Sequence, residues 1–381
     1  MQLAPLSRRA VQGGVLAAAS PTMGPAGHLR PLNGWAEDRS TRHSSLLHRR
    51  FVKSAECWCP DWQGEAGDEA LIPQAFARTA AKAVFRLFAY SPHWRVGWRF
   101  VTDRDVWDRH DLGGTPWRVL PNAPFRFFAD PFPVIWQGKT YIFFEDFDHR
   151  RDKGIISAVA FGPQGPCGDV FSVLEEPWHL SYPFNIEHDG ELWMVPESSA
   201  NRTVSLYRAD NFPRRWVKEA DLLTGIEASD ATILRHESRF WMFVTVREGI
   251  GSFSEALHLF MSKELLGPWK AHPANPVLVD LRSARPAGNL VVRNSRLWRP
   301  VQDCHAAYGA ALGLAEITCL NESGYEQVMR TVLRPGREWP GRRLHTLNRA
   351  GNLECIDGSA LALRCARIDH WMHGFSSWLH R

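Results

Sequence analysis

The chain has 381 residues, and its 45 Lys and Arg residues against 41 Asp and Glu give a formal net charge of +4. Arginines are scattered along the sequence without basic clusters, so nothing points to nucleic acid as a partner, and no run approaches the roughly 20 apolar residues of a transmembrane segment. Seven cysteines at irregular spacings favour reduced thiols and a cytoplasmic location.

The first part of the sequence differs from the rest. Residues 1–70 are rich in Arg, Ser, Gly, Pro and His without hydrophobic periodicity, which predicts a disordered or mis-started extension. The stretch Ser7-Arg8-Arg9, followed by a short apolar run, faintly resembles a twin-arginine export signal, so export is the alternative to a cytoplasmic location. Within 71–92, apolar residues at helical spacing predict an amphipathic helix that packs across the following domain: Phe76, Ala80, Val84, Leu87 and Phe88.

A hairpin follows, and the rest of the sequence is built on it. Phe127–Val134 and Tyr141–Asp146 are rich in β-branched and aromatic residues, and Gly138 supplies a tight turn between them. An antiparallel hairpin returns its second strand to the edge where the first began. Asp130 and Glu145 are therefore expected at the same edge of one sheet.

The same hairpin recurs at intervals of about 50 residues. Repeats of this length made of short strands predict a β-propeller, in which four-stranded blades surround a central channel. The predicted fold is all-β, with a five-bladed propeller over 93–360 and a tail over 361–381. The later hairpins begin near Tyr182, Asp230, Arg285 and His345 and return through Glu197, Thr245, Asp303 and Asp357.

The outer strands of each blade are expected directly after its hairpin. The fifth hairpin has no such continuation, whereas an unassigned strand pair, Trp94–Val101 and Trp117–Leu120, precedes the first. We therefore expect the amino-terminal pair to complete the fifth blade, which would leave no bare sheet edge. The other outer strands are predicted at 155–161, 170–174, 204–208, 216–222, 257–261, 269–272, 312–318 and 325–333.

The candidate site follows from this arrangement, because all inner strands should start at one face. Carboxylates accept paired hydroxyls, an arginine binds an anionic group and an aromatic ring stacks on a sugar ring, so the predicted ligand is a glycan or a sugar-containing small molecule. The candidate binding residues are His179, Tyr182, Arg285, Arg299, Gln302, Asp303 and His345, with Asp146 on the same rim.

Cleavage of a glycosidic bond requires two flanking carboxyl groups, one protonated as the acid and one acting as base or nucleophile. Asp130 with Asp230 or Glu197 fits these roles, and Glu145 occupies the same repeat position as Glu197. Each aspartate can equally bond only to backbone amides, and Arg285 and Arg299 can be simple ion-pair partners of this acidic mouth.

Other chemistries lack support in the sequence. It contains no Gly-rich nucleotide loop, no HExxH helix and no GxSxG elbow, so no cofactor is expected. Cys57 and Cys59 have no second Cys or His cluster at metal-ligand spacing, and no ligand spacing supports a channel cation at His345. No metal site is therefore predicted.

Several motifs, in one order over about residues 94–360, resemble the amino-terminal propeller domain of plant glucosamine inositolphosphorylceramide transferases and their bacterial relatives. They include Ala129-Asp130-Pro131-Phe132, Phe143-Phe144-Glu145, His179-Leu180-Ser181-Tyr182-Pro183, Pro196-Glu197-Ser198, Ser283-Ala284-Arg285-Pro286 and Arg299-Pro300-Val301-Gln302-Asp303.

The resemblance implies the propeller of arabinanases, xylosidases and invertases. These enzymes carry an Asp base or nucleophile in the first blade, a tuning Asp in the third and a Glu acid in the fourth. Asp130 and Asp230 match the positions in the first and third blades. The fourth-blade position is occupied by Arg285-Pro286, so the usual acid is absent there, and Glu197 or Glu145 would have to replace it.

Three hypotheses follow from the residues and the resemblance. The first is a carbohydrate-active enzyme of surface-glycan or glycolipid metabolism that cleaves or transfers a glycosyl unit. The second is a non-catalytic module that binds a glycan or a nucleotide sugar. The third is a scaffold for a separate glycosyltransferase, because in the plant proteins a glycosyltransferase domain follows the propeller.

Overall fold

The computed structural model describes Phe85 and residues 87–364 of the chain. The predicted extension over 1–70 and most of the predicted tail lie outside these residues. Phe85, Leu87 and Phe88 are helical, but Ala89–Tyr90 form a strand, β1. The helix expected within 71–92 therefore stops short of its predicted end, because the backbone of β1 pairs with a strand near residue 362.

Five sheets form the blades of a β-propeller, which confirms the predicted fold class. In blade 1, β4 (Arg126–Trp136), β5 (Lys139–Asp148), β6 (Lys153–Gly162) and β7 (Gly165–Leu174) lie in sequence order. Blade 2 repeats this order with β8 (Ser181–His188), β9 (Glu191–Glu197), β10 (Thr203–Asn211) and β11 (Arg215–Thr224), and a short 3₁₀ turn, Ser199–Asn201, lies between β9 and β10.

Blades 3 and 4 follow the same plan. Blade 3 contains β12 (Ala228–His236), β13 (Arg239–Val246), β14 (Ala256–Ser262) and β15 (Lys270–Ala271), and β16 (Leu278–Val279) also pairs with β14. Blade 4 contains β17 (Val291–Arg293), β18 (Arg296–Asp303), β19 (Ala311–Leu320) and β20 (Tyr325–Leu333).

The fifth blade combines strands from both ends of the described chain. Its order is β21 (Leu344–Ala350), β22 (Leu353–Ser359), β2 (Trp94–Phe100) and β3 (Arg118–Val119). A single-turn helix, α1 (Val106–Arg109), lies in the connection between β2 and β3. Outside the blades, β1 pairs with β23 (Ala362–Leu363). The antiparallel pairing of β2 with β22 over Trp94 to Phe100 is what closes the ring.

The inner strand of blade 4 departs from its prediction. The sequence predicts that the hairpin begins with 284–289, but the regular strand is β17. The backbone of the earlier residues pairs with β18 through a bridge between Pro286 and Val301 and two hydrogen bonds. The physical reason is local, because Pro286 has no N–H to donate and Gly288 has a φ of 137°.

The core lies between the blades. Each pair of neighbouring blades packs around its own buried apolar cluster, and the residues come alternately from the facing strands. Examples of the cluster residues are Ile156 and Met194 between blades 1 and 2, Met242 between 2 and 3, Phe243 between 3 and 4, Leu314 between 4 and 5, and Ile142 between 5 and 1.

Within the described residues, no helix is long and apolar enough to cross a membrane.

Candidate active site

The inner strands carry a repeated β-bulge at the face where they begin. In four blades, two inner-strand residues oppose a single residue of the second strand. The first bulge residue has a left-handed backbone in blades 1 to 3, with φ of 50° at Asp130, 43° at Tyr182 and 58° at Asp230. Such a conformation is unfavourable for residues other than glycine and is often found at functional sites.

Three blades contribute to an ion-pair group around Arg285. Its Nε donates to Oδ2 of Asp230 at 2.6 Å, and its Nη2 lies 3.7 Å from Oε2 of Glu197. The amide of Gln302 donates to the same Oδ2 of Asp230 at 2.9 Å. Asp230 is thus held by two donors of blade 4, Arg285 and Gln302. Glu197 of blade 2 pairs with the same Arg285 guanidinium.

Asp130 is held by the fifth blade. The Thr346 hydroxyl donates to Oδ1 of Asp130 at 2.9 Å, and the backbone N–H of Asp130 donates to Oδ2 of Asp357 at 2.8 Å. His345 Nδ1 lies 2.8 Å from Oδ1 of Asp357 and 3.8 Å from Oδ1 of Asp130. Asp357 therefore fixes both the backbone of the Asp130 bulge and the ring of His345.

Glu145 is paired with His179 from the segment before blade 2. The N–H of Gly154 donates to Nδ1 of His179 at 2.9 Å, so the proton of the neutral ring must be on Nε2, which lies 3.3 Å from Oε1 of Glu145. A Cβ on Gly154 would lie 2.7 Å from the His179 ring and 2.9 Å from Glu145 Oε1. Only glycine at this position lets the two side chains meet.

Burial shifts the proton affinities of the group. It raises the pKa of both Asp130 and Asp230 to about 7, even though His345 opposes the shift at Asp130 and Arg285 opposes it at Asp230. Burial, followed by repulsion from Asp130 and Glu197, raises the pKa of Glu145 well above its usual value. Burial lowers the pKa of His179 to about 4, which keeps the ring neutral.

His345 shifts in the opposite direction. Burial alone would lower its pKa, but the attraction of Asp357 and Asp130 outweighs burial and raises it. Burial therefore favours the protonated form of these carboxyl groups, and the neighbouring carboxylates favour the protonated form of His345. Proton donors and acceptors lie side by side, which is the arrangement that acid and base catalysis requires.

Most of the predicted site residues lie in this group, but three do not present a free polar group to it. Tyr182 is fully buried, and its hydroxyl accepts from the N–H of Gly288 at 2.7 Å and contacts the Thr232 hydroxyl at 2.8 Å. It joins blade 2 to blades 3 and 4 and has no capacity left for a ligand. This corrects its expected role on the wall of the mouth.

Arg299 and Asp303 also differ from expectation. The Arg299 guanidinium is buried and donates to the hydroxyl of Tyr325, the amide oxygen of Gln327 and the carbonyl of Ala284. It therefore ties β18 to the outer strand β20 and does not face the carboxylates. Asp303 accepts from the N–H of His305 at 3.1 Å and orders the loop after β18.

Asp146 points away from the mouth although it follows Glu145 directly. Neighbouring residues of a strand face opposite sides of the sheet, and Asp146 pairs with Arg126 and accepts from the Ser157 hydroxyl at 2.8 Å. It lines a separate cavity of about 520 Å³ at blade 1.

The sequence prediction missed four residues of the site. Asp357 and Thr346 hold Asp130, as described above. The ring of Trp94 stacks on His345 with centroids 3.9 Å apart, and Tyr308 lies beneath the Arg285 guanidinium at 5.0 Å. A signal for Asp357 exists in the repeats, because it occupies the position where the other blades have apolar Phe144, Pro196, Val244 and Val301.

One set of side chains has the composition of a metal site. Ligand atoms of Asp130, His345 and Asp357 all lie within 4.8 Å of one another. However, both oxygens of Asp357 already accept hydrogen bonds, from His345, from the Thr346 backbone and from the Asp130 backbone. Asp357 therefore serves donors of this chain at both of its oxygens.

Comparison with known proteins places the chain in a family. The profile of the family described as "Glucosamine inositolphosphorylceramide transferase 1, N-terminal" matches residues 119–355. Glucosamine inositolphosphorylceramide transferase 1 of Arabidopsis thaliana is 32% identical over 263 residues, which cover 64% of this chain and 34% of the relative. The protein of the same name from Oryza sativa subsp. japonica is 32% identical over 235 residues, 59% of this chain and 31% of the relative.

Solved structures with a similar fold are glycoside hydrolases. Zg3597, a family 117 glycoside hydrolase of Zobellia galactanivorans, has a TM-score of 0.45 at 12% identity and covers 71% of this chain and 91% of its own. The Cellvibrio cellulosa α-L-arabinanase complexed with arabinohexaose has a TM-score of 0.40 at 15% identity and covers 53% of this chain and 77% of its own.

The chain spans about a third of the length of the curated relatives it matches. The family profile, in contrast, covers more than half of this chain and spans blades 1 to 4 together with β21 of the fifth blade. The protein therefore belongs to the glucosamine inositolphosphorylceramide transferase 1 N-terminal family.

Proposed function

We propose that this propeller is a carbohydrate-active protein that binds a saccharide at its carboxylate group and cleaves or transfers a glycosyl unit there. The observation that carries the proposal is the convergence of carboxyl groups from three blades, namely Asp130, Glu145, Glu197 and Asp230. Arg285 pairs with Asp230 and Glu197, and burial raises the pKa of Asp130, Glu145 and Asp230.

Glu145 is assigned the role of general acid. Burial raises its pKa well above the usual value, which favours the protonated form, and Nε2 of His179 lies 3.3 Å from its Oε1. A proton on the remaining oxygen is then free to pass to the leaving oxygen of a glycosidic bond.

Asp130 is assigned the role of base or nucleophile. Only its Oδ1 is engaged by Thr346, and its carboxyl ionises at about pH 7. Asp230, whose Oδ2 is held by both Arg285 and Gln302, is better suited to fix the charge of the site than to react. The fourth blade offers Arg285 where related propeller enzymes are expected to have an acid, so the acid has to come from a second strand.

The direct test is an array of glycans and activated sugars with product detection, applied to the unmodified protein and to Asp130→Asn and Glu145→Gln. We expect a product with the unmodified protein and a loss of turnover of about 10²- to 10⁴-fold in each variant, with folding retained. Full turnover in Asp130→Asn would remove the proposed chemistry. Arg208→Gln, an exposed change on the outer strand β10, is the control and should leave turnover intact.

A second candidate function is binding of a glycan or a nucleotide sugar without chemistry, in support of a separate glycosyltransferase. The ion pair of Arg285 with Asp230, at 2.6 Å, favours it because this pair neutralises a carboxylate that a hydrolase would use. In the same array, this function gives saturable binding of one sugar class and no product. Gln302→Ala should then weaken binding, whereas detection of a product excludes the binding-only alternative.

A further inference from the structure

The face of the propeller that carries the hairpin turns has its own cavity, at the opposite end of the strands from Arg285 and Gln302. The turn at Asn294 and Ser295 joins β17 to β18 there. The cavity has a volume of about 620 Å³, within the usual range for ligand sites. Its lining includes Arg104, Arg293, Arg296, Trp107, Trp298 and His110, and we call it the arginine pocket.

Positive charge is in excess around the arginine pocket. Arg293 and Arg349 share the single buried carboxylate of Asp105. In the same way, Arg296 and Arg330 share the carboxylate of Glu316, at 3.4 and 2.8 Å. Two carboxylates therefore serve four guanidinium groups.

Arg104 adds a further cation to the pocket. Among the described residues, its only recorded partner is the backbone carbonyl of Asp108, whose exposed carboxylate also lines the cavity. Five guanidinium groups thus face three carboxylates, which leaves an excess of two positive charges. Arg296 keeps 59% of its side chain exposed and is free to turn toward a ligand.

Trp298 supplies a second feature that suits an anionic ligand with a ring. Its indole lies in the wall of the pocket, and its buried Nε1–H has no hydrogen-bond acceptor among the described residues. His110 packs edge-on against the same indole at 5.8 Å. Because Nε1 is buried, a ligand in the pocket would contact the partly exposed Trp298 through its ring and not through this N–H.

We infer that the arginine pocket binds a phosphate-bearing ligand, with the phosphate on Arg104 and Arg296 and the adjoining part of the ligand against Trp298. Planar guanidinium groups match phosphate oxygens in pairs, which is why arginine is preferred where phosphate is recognised. This site is separate from the carboxylate group and does not depend on the function proposed for it.

The test is isothermal titration of the full chain with inorganic phosphate at constant ionic strength. We expect saturable binding in the millimolar range and a loss of about tenfold or more in Arg104→Gln/Arg296→Gln. The matched control is Arg202→Gln/Arg215→Gln, which removes two exposed arginines of blade 2. Both double variants should melt within about 2 °C of the unmodified protein, because the replaced arginines are exposed and Arg330 still pairs with Glu316.

A second arm identifies the source of the phosphate. Flotation with phosphatidylcholine vesicles, with and without phosphatidic acid, reports whether a lipid headgroup is bound. Retention on the anionic vesicles that is lost in Arg104→Gln/Arg296→Gln assigns a lipid headgroup, and phosphate titration without vesicle retention assigns a soluble ligand. The absence of saturable phosphate binding, or equal weakening in the blade 2 control, overturns the inference.

Discussion

Individual residues at the start of the inner strands have unfavourable backbone conformations that the fold retains. Asp130 and Asp230 have a positive φ, and both side chains are buried beside other carboxyl groups. A left-handed non-glycine residue costs about 1 kcal/mol, and a buried carboxylate costs more. Such costs concentrated at one face are typical of a site kept for function at the expense of stability.

Asp130→Asn should therefore stabilise the protein in a pH-dependent way. Asparagine tolerates the left-handed backbone, and its side-chain oxygen can still accept from Thr346. Burial raises the pKa of Asp130 from 3.8 to about 7, so the carboxyl favours folding most below its unfolded pKa and loses this contribution as the pH rises through about 7. The amide has no such dependence.

The measurement is the melting temperature of both proteins between about pH 5 and about pH 8. We expect the smallest difference at the acidic end and an advantage of several degrees for the variant that grows as the pH rises through about 7. A variant that is less stable at every pH would show that the Asp130 carboxylate is stabilised, and not strained, by its surroundings. Asp103→Asn, an exposed change in the connection after β2, is the control.

The sequence predicts the position of a residue along its strand better than it predicts the hydrogen-bond partner of its side chain. Repeat alignment places Asp130, Glu145, Glu197 and Asp230 at one face because their strand positions coincide. It gives no information on whether another segment takes up the hydrogen-bonding capacity of a side chain, as Gly288 does for Tyr182 or β20 does for Arg299. Asp357 escaped prediction for a related reason, since its hairpin is the least similar of the five.

Among the elements, β2 and β22 depend most on one buried ion pair. Arg99 and Glu354 are register partners, and the guanidinium lies 2.7 Å from the carboxylate with both side chains almost fully buried. Arg99 also donates to the carbonyls of Leu112, Gly113 and Thr115, and Glu354 accepts from the N–H of Val106. The pair thus fixes both the closing strand and the connection that carries α1.

Removing one partner of this pair should destabilise the blade strongly. Arg99→Ala leaves the Glu354 carboxyl buried without its cation, and we expect a loss of about 3–5 kcal/mol in the free energy of unfolding measured with urea. Replacing both partners by Arg99→Met and Glu354→Leu should recover much of that loss, because no unpaired charge remains. An effect no larger than that of Arg208→Ala, whose pair with Glu219 is partly exposed, would argue against this role.

The element boundaries show where sequence patterns fail. Strands with a clear aromatic and β-branched pattern, such as β5 and β13, lie where they are predicted. β17 does not, because Pro286 and Gly288 break the ladder over residues that otherwise resemble the other inner strands. A sequence repeat predicts the position of a strand only where no proline or glycine in the segment interrupts the backbone hydrogen bonds of the sheet.

At the scale of the whole molecule, the site depends on a closed ring. Its residues come from all five blades: Asp130 from blade 1, Glu197 from blade 2, Asp230 from blade 3, Arg285 from the segment before β17 in blade 4, and His345 from blade 5. None of these blades can place its side chain without its neighbours, and the fifth blade exists only when β2 pairs with β22. Closure of the ring and assembly of the site are therefore a single event.

This dependence predicts the behaviour of a split protein. A break between Leu120 and Pro121 separates β2 and β3 from the other four blades and the hairpin of β21 and β22. The fragment 121–381 alone exposes an unpaired edge at β22, so we expect it to aggregate or to remain unfolded. Co-expressed with 1–120, it should form a soluble complex, because the seven register pairs of β2 with β22 do not require a continuous chain.

Co-purification through a tag on the smaller fragment and circular dichroism of the complex measure the outcome. Arg99→Ala in the fragment 1–120 should reduce recovery of the complex several-fold, whereas Arg104→Gln in the same fragment should not, because Arg104 makes no pair with β22. A soluble, cooperatively melting fragment 121–381 would show that four blades are stable without closure. In that case the fifth blade would serve to position His345 and Asp357 beside Asp130, and not to hold the fold together.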